Sequence, residues 1–273
     1  MIRLPADAPP GPVLAHTDAR RTHELVRSLG NRTSMLAGHT ALLRELADGR
    51  DGWVPTFTYD YCRTGKFSVD DDPSQVGPIT EAFRHAPASW RSTMPVFSFA
   101  GTGDRPAWAM PADGVLDPFD EASGFADLVA ADGTIVWYGA PFSSTTMIHH
   151  VEHLAGRPPY RYDKWFPGTV TADGDEHATR LRYHVRPLGR DLEYAWDRLE
   201  GELADAGIVH ELDQATGIRW APVRPLVAFW LARLAEDPLH LLDTASWAWV
   251  GPELDRLGRR FELADFEPPQ APT

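Results

Sequence analysis

Apolar positions along this chain fall into short β-branched runs alternating with helical stripes, the rhythm of an α/β protein. Val13-Leu14-Ala15-His16 reads as a short strand. The stretch 19–29 carries a helical pattern that Gly30-Asn31 can close. Met35, Leu36, Leu42, Leu43 and Leu46 lie near helical spacing and predict a second helix over 34–47. A strand follows over 52–59, with Pro55 marking a sheet edge or a strand end. The polar segment 65–77 contains Asp70-Asp71-Asp72-Pro73 and predicts a surface loop; Pro78 then opens a helix over 78–83. Residues 94–103 are apolar and β-rich, and 116–128 carry turn residues before a short helix. Gly133-Thr134-Ile135-Val136-Trp137-Tyr138-Gly139 reads as a buried strand ending in glycine. An extended segment over 158–164 and a strand over 179–187 precede a mostly helical last third, over 191–206, 223–234 and 239–260. With no repeat and no linker, the expectation is one α/β domain over 13–262, with 1–12 and 263–273 as loose ends.

Composition narrows the class. The chain has 273 residues with 43% hydrophobic and 24% charged, enough for a substantial core. It has no apolar run of membrane-spanning length and no signal-peptide core at its start, so a cytoplasmic location is expected. One cysteine, Cys62, excludes an intramolecular disulfide; it follows an expected strand, and nothing beside it marks it as an activated nucleophile. The net charge of -13 argues against nucleic acid, whose phosphates it repels. It suits a cationic small molecule, although the same charge also serves plain solubility.

Chemistry concentrates after the strand 133–139. Phe142-Ser143-Ser144-Thr145-Thr146-Met147-Ile148-His149-His150-Val151-Glu152-His153 places hydroxyls, histidines and a carboxylate within about two helical turns. A strand, a polar loop and a helix start form a common site for chemistry in α/β folds. Two readings compete. His149, Glu152 and His153 form H-x-x-E-H, in which histidines at i and i+4 share a helix face and could hold zinc for hydrolysis. Alternatively, His149 is a metal-free general base near pH 7, its tautomer fixed by a carboxylate from Glu152 or from Glu81 on a separate helix. The Ser143–Thr146 hydroxyls also suit simple helix capping. No G-x-G-x-x-G, Walker or G-x-S-x-G pattern occurs.

Several segments, in order, resemble the aminoglycoside 3-N-acetyltransferase family. Residues 13–20 are similar to its N-terminal strand and loop, and Trp53-Val54-Pro55-Thr56-Phe57-Thr58 to its V-M-P-T-F-S strand. The most specific likeness is 72–84, close to D-P-S-x-V-G-x-I-x-E-x-F-R. Arg91-Ser92-Thr93-Met94-Pro95 resembles R-S-x-H-P, with Met94 where the pattern has histidine, and 146–152 resembles T-x-L-H-x-x-E. Residues 222–229 resemble a C-terminal helix entry, so the likeness covers roughly 13–235.

This resemblance implies a three-layer α/β/α domain with a mixed central sheet. It implies transfer of an acetyl or related acyl group from CoA to an amine of an aminoglycoside or amino sugar, without metal. His149 falls on the family's catalytic histidine and Glu81 on its acid. The donor site is expected at His16, Thr17, Asp18, Ala19 and Arg20 and around Ser98 and Phe99, with Thr17-Asp18 replacing the usual serines. Asp60, Asp70, Asp72 and Glu152 are the candidates for holding the cationic acceptor. A homodimer is left open, as is a non-catalytic homologue that only binds CoA or an amino sugar.

Overall fold

The computed structural model describes residues 2–268. The first half contains β1 (Val13–Thr17), α1 (Ala19–Thr22), α2 (Arg32–Ala47), β2 (Gly52–Pro55), α3 (Tyr61–Thr64), β3 (Lys66–Ser68), α4 (Pro78–Arg84), β4 (Trp90–Arg91), β5 (Phe99–Gly101), β6 (Gly114–Leu116), α5 (Gly124–Ala130) and β7 (Thr134–Tyr138). The second half contains α6 (Met147–Leu154), β8 (Tyr162–Ala172), β9 (Asp175–Val185), α7 (Trp196–Asp205), β10 (His210–Asp213), β11 (Ile218–Pro222), α8 (Val223–Glu236), α9 (Thr244–Leu257) and α10 (Leu263–Phe266).

Seven strands form a mixed sheet in the order β10-β11-β7-β1-β2-β5-β4. At its centre β1 runs parallel to β2 and β7, while β11 and β5 flank them antiparallel. Because side chains alternate along a strand, Leu14, Ile135 and Trp137 feed one apolar cluster while Val13, Ala15 and Val136 feed another. The first cluster is completed by α5, α6, α7 and α8 through Phe125, Val151, Leu199 and Trp230. The second is completed by α2 and α4 through Leu43, Leu46, Ile79 and Phe83. Helices thus cover both faces, as the three-layer expectation requires.

The sequence reading did not anticipate a second, four-stranded sheet, β3-β8-β9-β6. Its spine is the β8–β9 hairpin, turned at Asp173 and Gly174, both with positive φ (+53° and +89°). The expected loop 65–77 therefore contains a strand: Lys66–Ser68 pairs with Thr169–Thr171 and buries Phe67 between polar neighbours that disguised it. The β10–β11 hairpin was also unforeseen.

Other boundaries differ for local reasons. The stretch 19–29 is one turn of α-helix followed by 3₁₀ turns, because Val26 is its only deeply buried apolar residue and a longer helix would have little to pack against. Strand β2 stops at Pro55, as its proline suggested. The described parts of both ends are packed rather than loose. Leu4 and Ala8 are buried, and Phe266 stacks on Tyr162 at 5.8 Å. The expectation for 269–273 lies outside the described residues.

Candidate active site

The fully buried strand β7 ends at Gly139, whose φ is +70° and where an added Cβ would stand 2.7 Å from Thr22 Cγ2. The chain then leaves the sheet through a 3₁₀ turn over Phe142–Ser144 and enters α6. Trp137 Nε1–H donates to the Thr145 hydroxyl at 2.9 Å, tying this turn to the strand. Met147, Ile148 and Val151 face the core, which fixes the rotation of α6. His149 is left at the surface of a cleft with 21% of its side chain exposed, while Glu152, one turn on, is wholly buried.

Glu152 gathers the site. Its Oε2 accepts from His149 Nδ1 at 2.9 Å and from His184 Nε2 at 3.1 Å. Its Oε1 accepts from the hydroxyls of Tyr160 at 2.8 Å and Tyr194 at 2.6 Å. Arg161 Nε lies 3.6 Å from Oε2, and Arg161 Nη2 donates to Tyr194 at 2.7 Å. An ionised carboxylate only accepts, so His149 must carry its proton on Nδ1. Nε2 then keeps its lone pair, with no protein partner among the described residues.

Electrostatics favour a neutral His149. Burial is the main influence and lowers its pKa to about 4; the hydrogen bond to Glu152 opposes this, and the Arg161 charge assists it. Burial alone would raise the Glu152 pKa, but Arg161 and the two imidazole hydrogen bonds hold that carboxyl well below its ordinary range. The buried Arg161–Glu152 pair thus cancels most of the field that would otherwise charge the imidazole.

Two cavities share a wall near the start of α6, and the His149 ring lines the larger. One, of about 520 Å³, is lined by His149, Arg161, Tyr194 and Trp196 among others. The other, of about 200 Å³, is lined by His16, Thr17 and Ser144. Both share Phe57, Tyr59, Ser143 and Thr146 as a common wall. His16 is buried, its Nε2 lacks a partner among the described residues, and burial lowers its pKa to about 4. Asp18 lines neither cavity; its carboxylate caps α1 through Arg20 N at 2.8 Å, and Ala19 and Arg20 begin that helix.

Several expected site residues are elsewhere. Glu81 does not support His149: its oxygens accept from Ser74 N at 2.7 Å, from Arg84 at 2.7 and 2.9 Å and from His85 at 3.2 Å. Ser98 is fully buried and bonded to Thr56 and Arg91, and Phe99 is a core residue, and neither lines either cavity. Asp60 and Asp72 line a different cavity, beside Arg63 and Lys66, and exposed Asp70 gives its carbonyl to Arg84. Glu152, being wholly buried, cannot touch an acceptor directly. Sequence reasoning missed His184, Tyr160, Arg161 and Tyr194; the run Tyr160-Arg161-Tyr162 was visible as unusually rich in tyrosine and charge, but nothing in its spacing pointed at His149. The zinc set also differs. Among the described residues, the group close enough to share a cation is His149, Glu152 and His184, with His153 outside it. Both imidazoles in that group already point at one carboxylate oxygen, with a guanidinium alongside.

The family model for aminoglycoside 3-N-acetyltransferase matches residues 23–235. The chain belongs to the aminoglycoside 3-N-acetyltransferase family. Aminoglycoside N(3)-acetyltransferase VIII of Streptomyces fradiae is 35% identical over 65% of this chain and 57% of its own length. Aminoglycoside N(3)-acetyltransferase VII of Streptomyces paromomycinus is 40% identical over 32% of this chain and 30% of its own. The chain thus matches less than two thirds of these curated family members. Among solved structures, the aminoglycoside acetyltransferase AAC(3)-Xa aligns with a TM-score of 0.63 at 22% identity, covering 86% of this chain and 89% of that one. AAC-IIIb with coenzyme A bound aligns at 0.65 and 21% identity, covering 85% and 92%. At such identities these two structures support the family's fold. No described helix is long and apolar enough to cross a membrane.

Proposed function

We propose that this chain transfers an acetyl group from acetyl-CoA to an amine of an amino sugar, with His149 as general base. The observation that carries the reading is the neutral imidazole, pinned through Nδ1 by buried Glu152, on the wall of a cavity that shares Ser143 and Thr146 with a second one. The smaller cavity, with His16 and Thr17, takes the thioester end of the donor; the larger takes the acceptor. The amine nitrogen attacks the thioester carbon. As that bond forms the nitrogen becomes strongly acidic, and its proton passes to His149 Nε2. The C–S bond then breaks, and the departing thiolate takes the proton from the imidazolium, which Glu152 stabilises meanwhile. The N–H groups of Ile148 and His149 already bond to the carbonyls of Thr145 and Thr146, so the Thr146 N–H, on the shared wall, is the donor that suits the oxyanion, a contribution of about 3 kcal/mol. No acyl-enzyme is needed, because both substrates meet on the shared wall of Ser143 and Thr146.

The test is thiol release from acetyl-CoA across a panel of amines, for the wild type and for His149→Ala. Turnover is expected to fall at least ~100-fold in the variant while CoA binding survives. Unchanged turnover overturns the base assignment.

A further inference from the structure

The larger cavity lacks the negative charge that a polycationic acceptor requires. Among its lining residues Glu193 is the only carboxylate, set against two guanidinium groups, Arg161 and Arg186. Glu193 is already paired with Arg186 at 3.3 Å at the rim, where the two side chains are 58% and 63% exposed. Arg161 is matched by Glu152 beneath the floor. The lining is therefore balanced, with no acid left for a second or third ammonium. Each further ammonium brought into such a cleft loses hydration and meets aromatic faces but no free carboxylate in exchange.

The other nearby acids are committed elsewhere. Asp60 and Asp72 face another cavity. Across Trp196, a neighbouring cavity holds Asp243, whose carboxylate caps α9 through Ser246 N at 2.7 Å, and Asp197 beside Arg198. The overall charge of -13 draws any cation toward the surface but does not distinguish one ammonium from several inside the cleft. The walls are instead aromatic: Phe57, Tyr59, Phe97, Tyr183, Tyr194 and Trp196. Flat rings of this kind, with hydroxyls at their edges, suit the apolar face and the hydroxyls of a sugar ring.

We infer that the acceptor is a glycoside bearing a single amino group, the one that is acetylated, and that the cleft selects against polyamino sugars. The inference rests on the acetyl-transfer reading above. The experiment compares methyl 2-amino-2-deoxyglucoside with the polyamine neamine, by thiol release from acetyl-CoA and by calorimetric binding to the CoA complex. The mono-amine is expected to show a kcat/KM at least ~10-fold higher, and Arg186→Glu to shift the ratio toward neamine by at least ~5-fold. Equal or better use of neamine by the wild type overturns the inference. Should neither amine be acetylated, the acetyl-transfer reading fails for these acceptors and the binding arm still decides the charge preference. Tighter binding of the mono-amine upholds it, and tighter binding of neamine overturns it.

Discussion

Two segments of this chain carry comparably conspicuous motifs and do opposite work. The segment 72–98 contains the longest match to the family pattern, yet its polar groups bind one another. Arg91 is buried and donates to the carbonyls of Val69 at 3.0 Å and Thr56 at 2.7 Å, and to the hydroxyls of Thr58 and Ser98. Glu81 closes the same clamp from α4 through Arg84 and Ser74 N. The segment 146–152 is shorter, but it leaves one nitrogen unpartnered at a cavity. A long polar motif therefore measures how much a fold constrains its residues. Chemistry is marked by the group whose hydrogen-bonding capacity the fold leaves unused.

Substitutions can break this comparison. The largest effect is expected from Arg91→Ala, which strands several buried acceptors and should cost about 3–5 kcal/mol in urea unfolding. Retention of wild-type stability would show that the clamp is dispensable. Next is Glu152→Gln, which removes the carboxylate that orients His149. Turnover of the folded variant should fall about 10- to 100-fold, with the imidazole titrating differently by NMR; an unaltered imidazole titration would separate Glu152 from the base. Acidification has a smaller, graded effect. Burial lowers the pKa of both His16 and His149 to about 4 from 6.5. Between those values the unfolded chain takes up protons that the native protein refuses. Stability should therefore decline as pH falls from about 6.5 to about 4, by up to about 1.4 kcal/mol per pH unit for each ring, with no contribution from either ring above that window. Urea midpoints that stay constant across the window would contradict the burial argument. The smallest catalytic effect is expected from Glu81→Gln: turnover within about threefold of wild type, with a stability loss of about 1 kcal/mol. A hundredfold loss of turnover with stability intact would restore Glu81 to the catalytic role expected from the sequence.

The parts legible in the sequence were those with local signals. Strand β7, the helix over 34–47 and the stop at Pro55 follow from periodicity and from the chemistry of proline, and the pair His149 and Glu152 follows from helical spacing. The second sheet was hidden because β3 is three residues long and its burial depends on a partner about a hundred residues away. Its hairpin did carry a readable sign in Asp173-Gly174, a dipeptide that favours a two-residue turn. The surroundings of Glu152 were illegible for another reason. Tyr160, His184 and Tyr194 reach it from separate segments, and no spacing rule connects them to α6. Glu81 misled because a carboxylate in a resemblant position was expected to bond His149, whereas the carboxylate that does so is Glu152, three residues on.

The four hydrogen bonds received by one carboxylate tie the surroundings of His149 to the assembly of the fold. Their donors come from α6, from the chain leading into β8, from β9 and from the stretch before α7. The His149 bond lies within α6, but none of these segments can complete the arrangement alone, so the full set around Glu152 forms only when both sheets have docked. A partly folded molecule would present the same histidine as an ordinary solvated ring. Local opening that loosens the β8–β9 arm should thus disperse the donors around Glu152 before the seven-stranded sheet opens.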